Sequence, residues 1–257
     1  MCELFGINSA RPIHANDLLK EFFTHAEENP HGWGLAVYGG SGTSIEKEPV
    51  KATKSLYLKE RLKAEIEAEN LIAHVRLATM GSLSYENSHP FLRRDATGRY
   101  WTLAHNGTLF DFPEADRYFY QQKGDTDSER ILLYIMEHLD CRAQNLDREL
   151  LPEERFALID QIIAHMAEGN KLNLILYDGE YMYVHSNYAN SLYLNKTPDT
   201  ALFATKPLKD GNWEPMPITT LCVYKDGQEV YRGNPHGHEF RDDMVDPRFV
   251  FATYSEL

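Results

Sequence analysis

The spacing of apolar residues along the chain predicts an α+β protein that begins with strands. Residues 4–7 form an apolar run typical of a short buried strand, and residues 16–28 carry leucine and phenylalanine at helical spacing. Residues 33–38 and 45–50 predict a hairpin across a glycine-rich loop. Apolar residues at positions 58, 62 and 66 predict an amphipathic helix in an otherwise charged segment.

The middle of the chain combines a buried strand with a long polar loop. An almost continuous apolar run at residues 71–78 predicts a strand that is covered on both faces. Arg76 is the exception within it, and a lone arginine there is most simply a structural ion pair. The polar residues 79–90 follow, and a loop that long inside a compact domain is usually functional or disordered. Residues 100–105 predict the next strand, ending at Asn106-Gly107, which by itself favours a hairpin turn.

Two helices and then further strands are predicted in the second half. The residues from Thr126 to Glu129 have the spacing of a capping box and open a helix to about Leu139. Residues 153–167 predict a second helix, and from residue 172 the pattern changes to strands. This order favours one domain over residues 2–257, with helices outside two stacked sheets. Residues 234–257 are predicted to form a tail packed on that domain.

Charge and composition narrow the class of protein. The chain has 257 residues and a formal net charge of -13, which argues against binding nucleic acid or an anionic membrane. No apolar run approaches the roughly 18 residues that span a bilayer, and no secretory leader is recognisable. Three cysteines without paired spacing exclude a disulfide framework or a cysteine zinc site. We therefore expect a cytoplasmic enzyme or binding protein.

Cys2 is the first candidate for chemistry, because a small second residue favours removal of Met1. Cys2 would then carry a thiol and a free α-amine, and an amine with a pKa near 8 can accept the thiol proton. The structural alternative is an ordinary half-buried cysteine near a frayed terminus.

Four positions together match the demands of a γ-carboxamide amino acid. Arginine such as Arg76 binds an α-carboxylate through two parallel hydrogen bonds, and a carboxylate such as Asp127 can hold an α-ammonium. An asparagine amide and a glycine N–H, at Asn106 and Gly107, are suitable donors for an oxyanion. Taken alone, Asp127 is most simply a carboxylate placed against a helix dipole.

Six motifs carry a family resemblance in this order: MCELFGI, HGWGLAVY, AHVRLATMG, NSHPF, AHNG and GDTDSE. With them the sequence resembles the class II glutamine amidotransferases of the N-terminal-nucleophile hydrolase superfamily. It is most similar to stand-alone bacterial members. The resemblance implies a four-layer αββα sandwich, in which two stacked antiparallel sheets are flanked by helices, and it implies neither a cofactor nor a metal.

The resemblance also implies the role of each candidate. Cys2 would be the nucleophile with its α-amine as base, and Asn106 and Gly107 would form the oxyanion hole. Arg76 would bind the substrate α-carboxylate, and Asp127 the α-ammonium. Residues 79–90 would close as a lid. The substrate would be glutamine or another γ-glutamyl compound.

Two departures from the family pattern affect the expected substrate and the expected partner. Many family members have glycine where this chain has Glu3, and histidine where it has Met80, which removes a polar group from the pocket mouth. No acceptor domain is recognisable after the glutaminase domain. The chain is therefore expected to be either a glutaminase subunit with an acceptor or synthase partner, or a stand-alone γ-glutamyl hydrolase.

The residues leave two alternatives open. One is a metallohydrolase that uses His74, His89 and His105 with a carboxylate. The other is a non-catalytic binding protein that retains the pocket, which would apply if Met1 stays attached, because an amide-linked nitrogen cannot act as a base.

Overall fold

Two antiparallel sheets, stacked face to face, form the centre of the computed structural model, which describes residues 2–39 and 42–244. The strands in this described part are β1 (Glu3–His14), β2 (Trp33–Gly39), β3 (Gly42–Glu48), β4 (Glu67–Val75), β5 (Phe91–Arg94), β6 (Tyr100–Thr108), β7 (Lys171–Tyr177), β8 (Met182–Ser186), β9 (Tyr193–Lys196), β10 (Thr200–Ala204), β11 (Trp213–Pro215), β12 (Thr220–Lys225) and β13 (Gln228–Arg232). One sheet has the order β11-β9-β10-β1-β4-β2-β3, and the other has the order β13-β12-β8-β7-β6-β5.

Helices cover the outer face of each sheet. Helices α1 (Asn16–Thr24) and α2 (Leu56–Arg61) belong with the first sheet, and α3 (Asp127–Leu146) and α4 (Pro152–Ala167) with the second. Short 3₁₀ helices lie at His25–Glu27, Ala52–Lys54, Pro113–Tyr118 and Asp242–Met244. The predicted four-layer αββα sandwich is confirmed.

Alternation of side chains along the strands produces three apolar layers. In β1, Phe5 and Ile7 pack towards the helices, whereas Leu4 packs towards the other sheet. The inter-sheet layer also contains Ile72 and Ile175. Full burial of one such large apolar side chain stabilises the fold by about 1.5–3 kcal/mol. The sheets are therefore held together by the same strands that end at the candidate residues.

Several predicted boundaries need correction. Helix α2 ends at Arg61, and Ile66 lies outside it, because its backbone N–H and carbonyl bond to the start of α1. Helix α3 continues seven residues beyond Leu139 to Leu146, where the left-handed residue Asp147 ends it. Strand β5 is too short and too polar to be visible in the apolar pattern.

Two expectations about strand ends near the candidate residues are wrong. Strand β4 ends at Val75, so Arg76 is the first residue beyond it. Asn106 and Gly107 do not form a turn, because β6 continues through them and pairs them with Asn173 and Leu172 of β7.

The predicted tail is described only in part, since residues 245–257 lie outside the described residues. The described portion contacts β8 and the residue that follows it: His236 bonds to His185 at 3.0 Å, and the Phe240 N–H donates to the Asn187 carbonyl at 2.8 Å. No helix in the described ranges is long and apolar enough to cross a membrane.

Candidate active site

The pairing of β1 with β4 brings Cys2 next to Arg76. Glu3 is opposite Val75 in this antiparallel pair, so the residues just beyond them, Cys2 and Arg76, are neighbours at the same sheet end. The Cys2 thiol donates to the Leu77 carbonyl and accepts from the Leu77 N–H, both at 3.3 Å. These two bonds hold the sulfur against the backbone that follows Arg76.

The HGWG motif holds the same backbone from the other side. The Arg76 N–H donates to the Gly32 carbonyl at 2.8 Å, and the His31 N–H donates to the Arg76 carbonyl at 2.9 Å. The Ala78 N–H donates to Nδ1 of His31 at 2.9 Å. Gly34 is required for packing, because a Cβ there would overlap the His89 carbonyl. This motif therefore fixes the position of the residues around Arg76.

The guanidinium of Arg76 binds the predicted lid. Nη1 donates to the Ser82 carbonyl at 2.9 Å, and Nη2 donates to the Met80 and Gly81 carbonyls at 2.8 and 3.2 Å. Arg76 is 2% exposed. Among the described residues it has no carboxylate partner in hydrogen-bond contact, so it is not the structural ion pair that its place in an apolar run favoured. Its charge is available to an anion that displaces the lid carbonyls.

The lid is tied to the loop that carries Asp127. Both carboxylate oxygens of Asp125 accept from the Ser82 N–H, at 3.1 and 3.2 Å, and Asp125 also accepts from the Asn87 amide. The Asp125 N–H donates to the Asn87 side-chain oxygen at 2.9 Å. The lid, Arg76 and the start of α3 therefore form one hydrogen-bonded unit.

Among the described residues, no hydrogen-bond partner is seen for the side-chain amide of Asn106 or the backbone N–H of Gly107. Within the described residues, the Asn106 side-chain amide makes no side-chain hydrogen bond. It is not one of the fully buried polar atoms that lack a partner, so it keeps some access to solvent. The Leu172 N–H donates to the Asn187 side chain at 2.8 Å, so Leu172 does not exchange backbone bonds with Gly107 opposite. The Gly107 N–H consequently points away from β7, and β5 pairs with β6 only as far as Leu103.

Close packing between β6 and β7 explains why residue 107 is glycine. A Cβ at this position would overlap the carbonyl of Lys171 on the facing strand. Any other residue would push β6 away from β7 and would displace Asn106 with it.

Asp127 is fixed at the first turn of α3. Its Oδ2 accepts from the Leu109 N–H at 2.8 Å, two residues beyond Gly107, and its Oδ1 accepts from the Ser128 N–H at 2.8 Å. The Thr126 hydroxyl caps the helix by accepting from the Glu129 N–H at 3.3 Å. Asp127 is 5% exposed, so a substrate cation here would bind a carboxylate largely screened from water.

The charges of these residues act on the thiol. Burial raises the pKa of Cys2, while the Leu77 hydrogen bond and the Arg76 charge oppose that shift, and Asp127 adds to it. The thiol therefore carries its proton at neutral pH. In the structure, Cys2, Arg76 and Asp127 lie within electrostatic reach of one another. Asn106 and Gly107 lie on β6, just before Leu109, whose N–H binds Asp127.

Several contributors were not predicted from the sequence. Ser128 donates to Asp127 at 3.3 Å, and Nδ1 of His105 bonds to the Ser128 hydroxyl at 2.9 Å, so both orient the carboxylate. Asp125 ties down the lid. The GDTDSE motif contains Asp125 and Ser128, and proximity to Asp127 was the signal that could have identified them.

The three histidines of the metallohydrolase alternative lie near one another, but within the described residues they are not part of a group of three donor atoms within 4.8 Å. Both ring nitrogens of His105 are occupied, the second one by the Lys171 carbonyl at 3.2 Å. Among the described residues, His14, Glu65 and Glu67 are the only three candidate ligands whose donor atoms lie within 4.8 Å, and all three are exposed. His74 and His89 stack with ring centroids 4.1 Å apart.

A groove of about 840 Å³ lies at the opposite end of the sandwich. Its lining includes Tyr38, Tyr177, Arg99 and Tyr100 and none of the five candidate residues. The candidate residues lie instead at the other end of the sandwich, next to residues 79–90.

Buried neutral histidines make the fold sensitive to acid. Burial lowers the pKa of His74 and of His185 to about 3, and it lowers the pKa values of His89 and His105 as well. The unfolded chain therefore binds more protons than the folded chain below pH 6.5, so stability is lost as pH falls. We expect each of the four to cost about 1.4 kcal/mol of unfolding free energy per pH unit below pH 6.5.

Urea unfolding at pH 7.5, 6.5 and 5.5 measures this slope in a range where carboxylates contribute little. His74→Gln should reduce this slope by about 1.4 kcal/mol per pH unit, the contribution of one histidine. Equal stability at the three pH values would contradict the expectation.

The chain matches a known protein family over most of its length. The model of the family described as glutamine amidotransferases class-II matches residues 1–199. A Haemophilus influenzae protein, predicted to be a glutamine amidotransferase, is 31% identical over 201 residues, which are 77% of this chain and 67% of that protein. An uncharacterised protein of Methanocaldococcus jannaschii is 28% identical over 258 residues, 90% of this chain and 71% of its own length.

A solved structure shows the same fold. The glutamine phosphoribosylpyrophosphate amidotransferase of B. subtilis superposes with a TM-score of 0.68 and 17% identity. The match covers 92% of this chain and 49% of that protein.

Proposed function

The chain belongs to the class-II glutamine amidotransferases, and we propose that it cleaves a γ-glutamyl amide through a thioester on Cys2. Glutamine is the first substrate to consider, and the products would be glutamate and ammonia. The observation that carries this proposal is the position of the Cys2 sulfur against Leu77, within electrostatic reach of Arg76 and Asp127.

Acylation begins after Met1 has been removed. The free α-amine of Cys2 takes the thiol proton, and the thiolate attacks the γ-carbonyl carbon to form a C–S bond. The carbonyl electrons move onto oxygen, and the protonated α-amine then returns its proton to the leaving nitrogen. Ammonia leaves, and the γ-glutamyl group remains on sulfur as a thioester.

The developing oxyanion would be bound by Asn106 and Gly107. An amide N–H₂ without a partner among the described side chains and a backbone N–H that points away from β7 can meet an oxygen without breaking existing bonds. Such preorganised donors stabilise the transition state more than the ground state, which is the requirement for catalysis.

The α-groups of the substrate would be bound by two opposite charges. Its carboxylate takes the place of lid carbonyls on Arg76, and its ammonium binds Asp127. The lid carbonyls released by Arg76 must then find other donors, so substrate binding and lid position are coupled. A water molecule, deprotonated by the α-amine, then attacks the thioester carbonyl carbon; the C–S bond breaks, the α-amine returns the proton to the Cys2 sulfur, and glutamate is released.

The acceptor is the remaining part of the proposal. A partner protein could receive the ammonia, or the chain could act as a free hydrolase on a γ-glutamyl peptide or amine. Glutamate release from glutamine and from γ-glutamyl dipeptides, measured with and without cell extract, distinguishes the two. Stimulation by extract for glutamine alone would favour an acceptor partner.

Covalent labelling tests the nucleophile. A diazo-ketone analogue of glutamine should lose nitrogen and add one mass to Cys2, sparing Cys141 and Cys222. Cys141 is exposed and Cys222 is buried, so the two other thiols control for accessibility in both directions. Labelling spread over several cysteines, or an intact Met1 in the mass spectrum of the native protein, would contradict the mechanism.

A further inference from the structure

The residue that follows the nucleophile carries a carboxylate that the proposed mechanism does not use. Glu3 is 8% exposed and lies on the face of β1 that packs towards α1, together with Phe5 and Ile7. Leu4, between them, faces the other sheet. A buried carboxylate is stable only where hydrogen bonds or positive charge replace its water. The partners of Glu3 therefore indicate what it is held against.

Glu3 is held by two partners near the end of α1. Its Oε2 accepts from the Nδ1–H of His25 at 2.6 Å, and its Oε1 accepts from the side-chain amide of Asn29 at 3.3 Å. The same Asn29 amide donates to the His25 carbonyl at 3.1 Å. The side chains of Glu3 and His25 are 10% and 11% exposed, so water screens this pair little. The carboxylate is thereby held in one place.

Asn29 connects this cluster to the backbone around Arg76. It lies two residues before His31, whose N–H donates to the Arg76 carbonyl at 2.9 Å. Nδ1 of His31 accepts from the Ala78 N–H, also at 2.9 Å. Leu77, between these two backbone partners, binds the nucleophilic sulfur through both its N–H and its carbonyl. The turn that begins at Asn29 therefore holds both the carboxylate and the residue that binds the sulfur.

These contacts form a closed ring around the nucleophile. Once Met1 is removed, Cys2 has no preceding peptide to restrain it, and chain termini are poorly ordered unless contacts tie them down. Leu77 holds the sulfur, whereas the peptide between Cys2 and Glu3 is held by the pairing of Glu3 with Val75 and by the Glu3 carboxylate. The orientation of the α-amine therefore depends on how firmly Glu3 is fixed.

We propose that Glu3 is a positioning residue that acts through Cys2. Bound by His25 and Asn29, its carboxylate fixes the first peptide of the mature chain, so that the sulfur and the α-amine of Cys2 meet the γ-carbonyl carbon in one orientation. Glu3 itself exchanges no proton in the reaction. This inference rests on the proposed function of Cys2, and it adds to that function the contacts that align the attacking residue.

The proposed role predicts a change in kcat and not in KM. Arg76 and Asp127, which would bind the α-groups of the substrate, have their own bonds to the lid and to Leu109. Their affinity for substrate should survive the loss of Glu3, whereas the alignment of the attacking atoms should not. An ion pair that only stabilised the fold would lower the free energy of unfolding and leave kcat of the folded protein unchanged.

Steady-state glutamate release separates these two roles. Glu3→Ala should lower kcat about tenfold and leave KM for glutamine within about twofold. Glu3→Gln can still accept from Asn29 and can donate to a neutral His25 ring, so its kcat should stay within about threefold of the unchanged protein. Glu46→Ala is the matched control and should keep both constants, because Glu46 lies in the same sheet, pairs with Nε of Arg61 at 3.1 Å and is about as buried as Glu3.

Hydrogen exchange in the mature protein tests the same contacts without a substrate. The N–H groups of Leu77 and Ala78 should exchange at least about fivefold faster in Glu3→Ala, and at the unchanged rate in Glu46→Ala, as followed by mass spectrometry of the peptide that contains them. If Glu3→Ala does not fold, Asn29→Ser removes the amide that links Glu3 to the turn and should show both effects to a smaller extent.

Unchanged kcat or unchanged exchange in the folded variant would overturn the inference, and so would an equal loss of kcat in Glu46→Ala. If the unchanged protein releases no glutamate, the proposed function is contradicted, and the exchange rates still decide whether Glu3 holds Cys2. Normal release by the unchanged protein and by Glu3→Ala alike would contradict only the role of Glu3.

Discussion

Replacement of Cys2 by alanine is expected to lower kcat/KM for glutamate release by at least about 10⁴-fold. The α-amine, the oxyanion donors and the α-carboxylate site would all remain, but no atom would be left to form the thioester. Loss of the nucleophile therefore removes the whole covalent route and not only a part of the binding energy. The measurement is glutamate release from glutamine under steady-state conditions, with enough enzyme to detect residual turnover.

Two variants make this prediction specific. Cys141→Ala removes an exposed thiol on α3 and should retain full activity. Cys2→Ser keeps a hydroxyl in place of the thiol and should also be nearly inactive, because a hydroxyl is much harder to deprotonate than a thiol and this site is built around sulfur. If Cys2→Ala kept more than about a tenth of the activity, the reaction would not pass through this sulfur.

Arg76→Lys is expected to raise KM for glutamine on the order of 30-fold, which corresponds to about 2 kcal/mol. Lysine keeps the charge but cannot offer two parallel N–H groups to a carboxylate. The structure adds a second role, because the same guanidinium binds the carbonyls of Met80, Gly81 and Ser82. A raised KM alone would therefore not separate substrate binding from lid positioning.

A substrate without an α-carboxylate separates the two roles. 4-Aminobutanamide has the same scissile amide but offers nothing for Arg76 to bind. If Arg76 binds the α-carboxylate, Arg76→Lys should lower kcat/KM for glutamine and leave that for 4-aminobutanamide within about threefold. Equal losses on both substrates would assign Arg76 to the lid alone.

The hydrogen bonds of the lid explain why these experiments need a matched substrate. Asp125 binds Ser82 and Asn87, so the lid is connected to the loop that ends at Asp127. A variant at Arg76 can thus disturb the ammonium site through the lid. The effect on kcat for 4-aminobutanamide reports that disturbance directly.

The sequence motifs are sufficient to select the candidate residues. An N-terminal cysteine combines a nucleophile and a base on one residue, and this chemistry depends on local covalent structure alone. The capping-box residues Thr126 and Glu129 likewise predicted where α3 begins, because a cap involves residues three positions apart. The alternation of apolar residues predicted the layers, since each strand must bury one or both faces.

Strand boundaries were less predictable, because pairing depends on distant partners. Asn106-Gly107 has a composition typical of a turn, yet Asn173 and Leu172 extend the strand through it. Arg76 occurs in an apolar run but lies beyond β4, where the turn at Gly32 takes over its backbone bonds. Local propensity is weak, and tertiary hydrogen bonds of about 1 kcal/mol each are enough to override it.

The sequence by itself determined the class of fold, the family and the identity of the five candidate residues, because these depend on residue type, order and local spacing. Only the tertiary structure decided which donors are occupied: Arg76 is bound to the lid, and the Gly107 N–H points away from β7. Both arrangements depend on residues far apart in the chain: Asp125 holds Ser82 of the lid, and Asn187 binds Leu172 opposite Gly107. Their geometry follows from strand register and the packing of two sheets, and no local pattern encodes it.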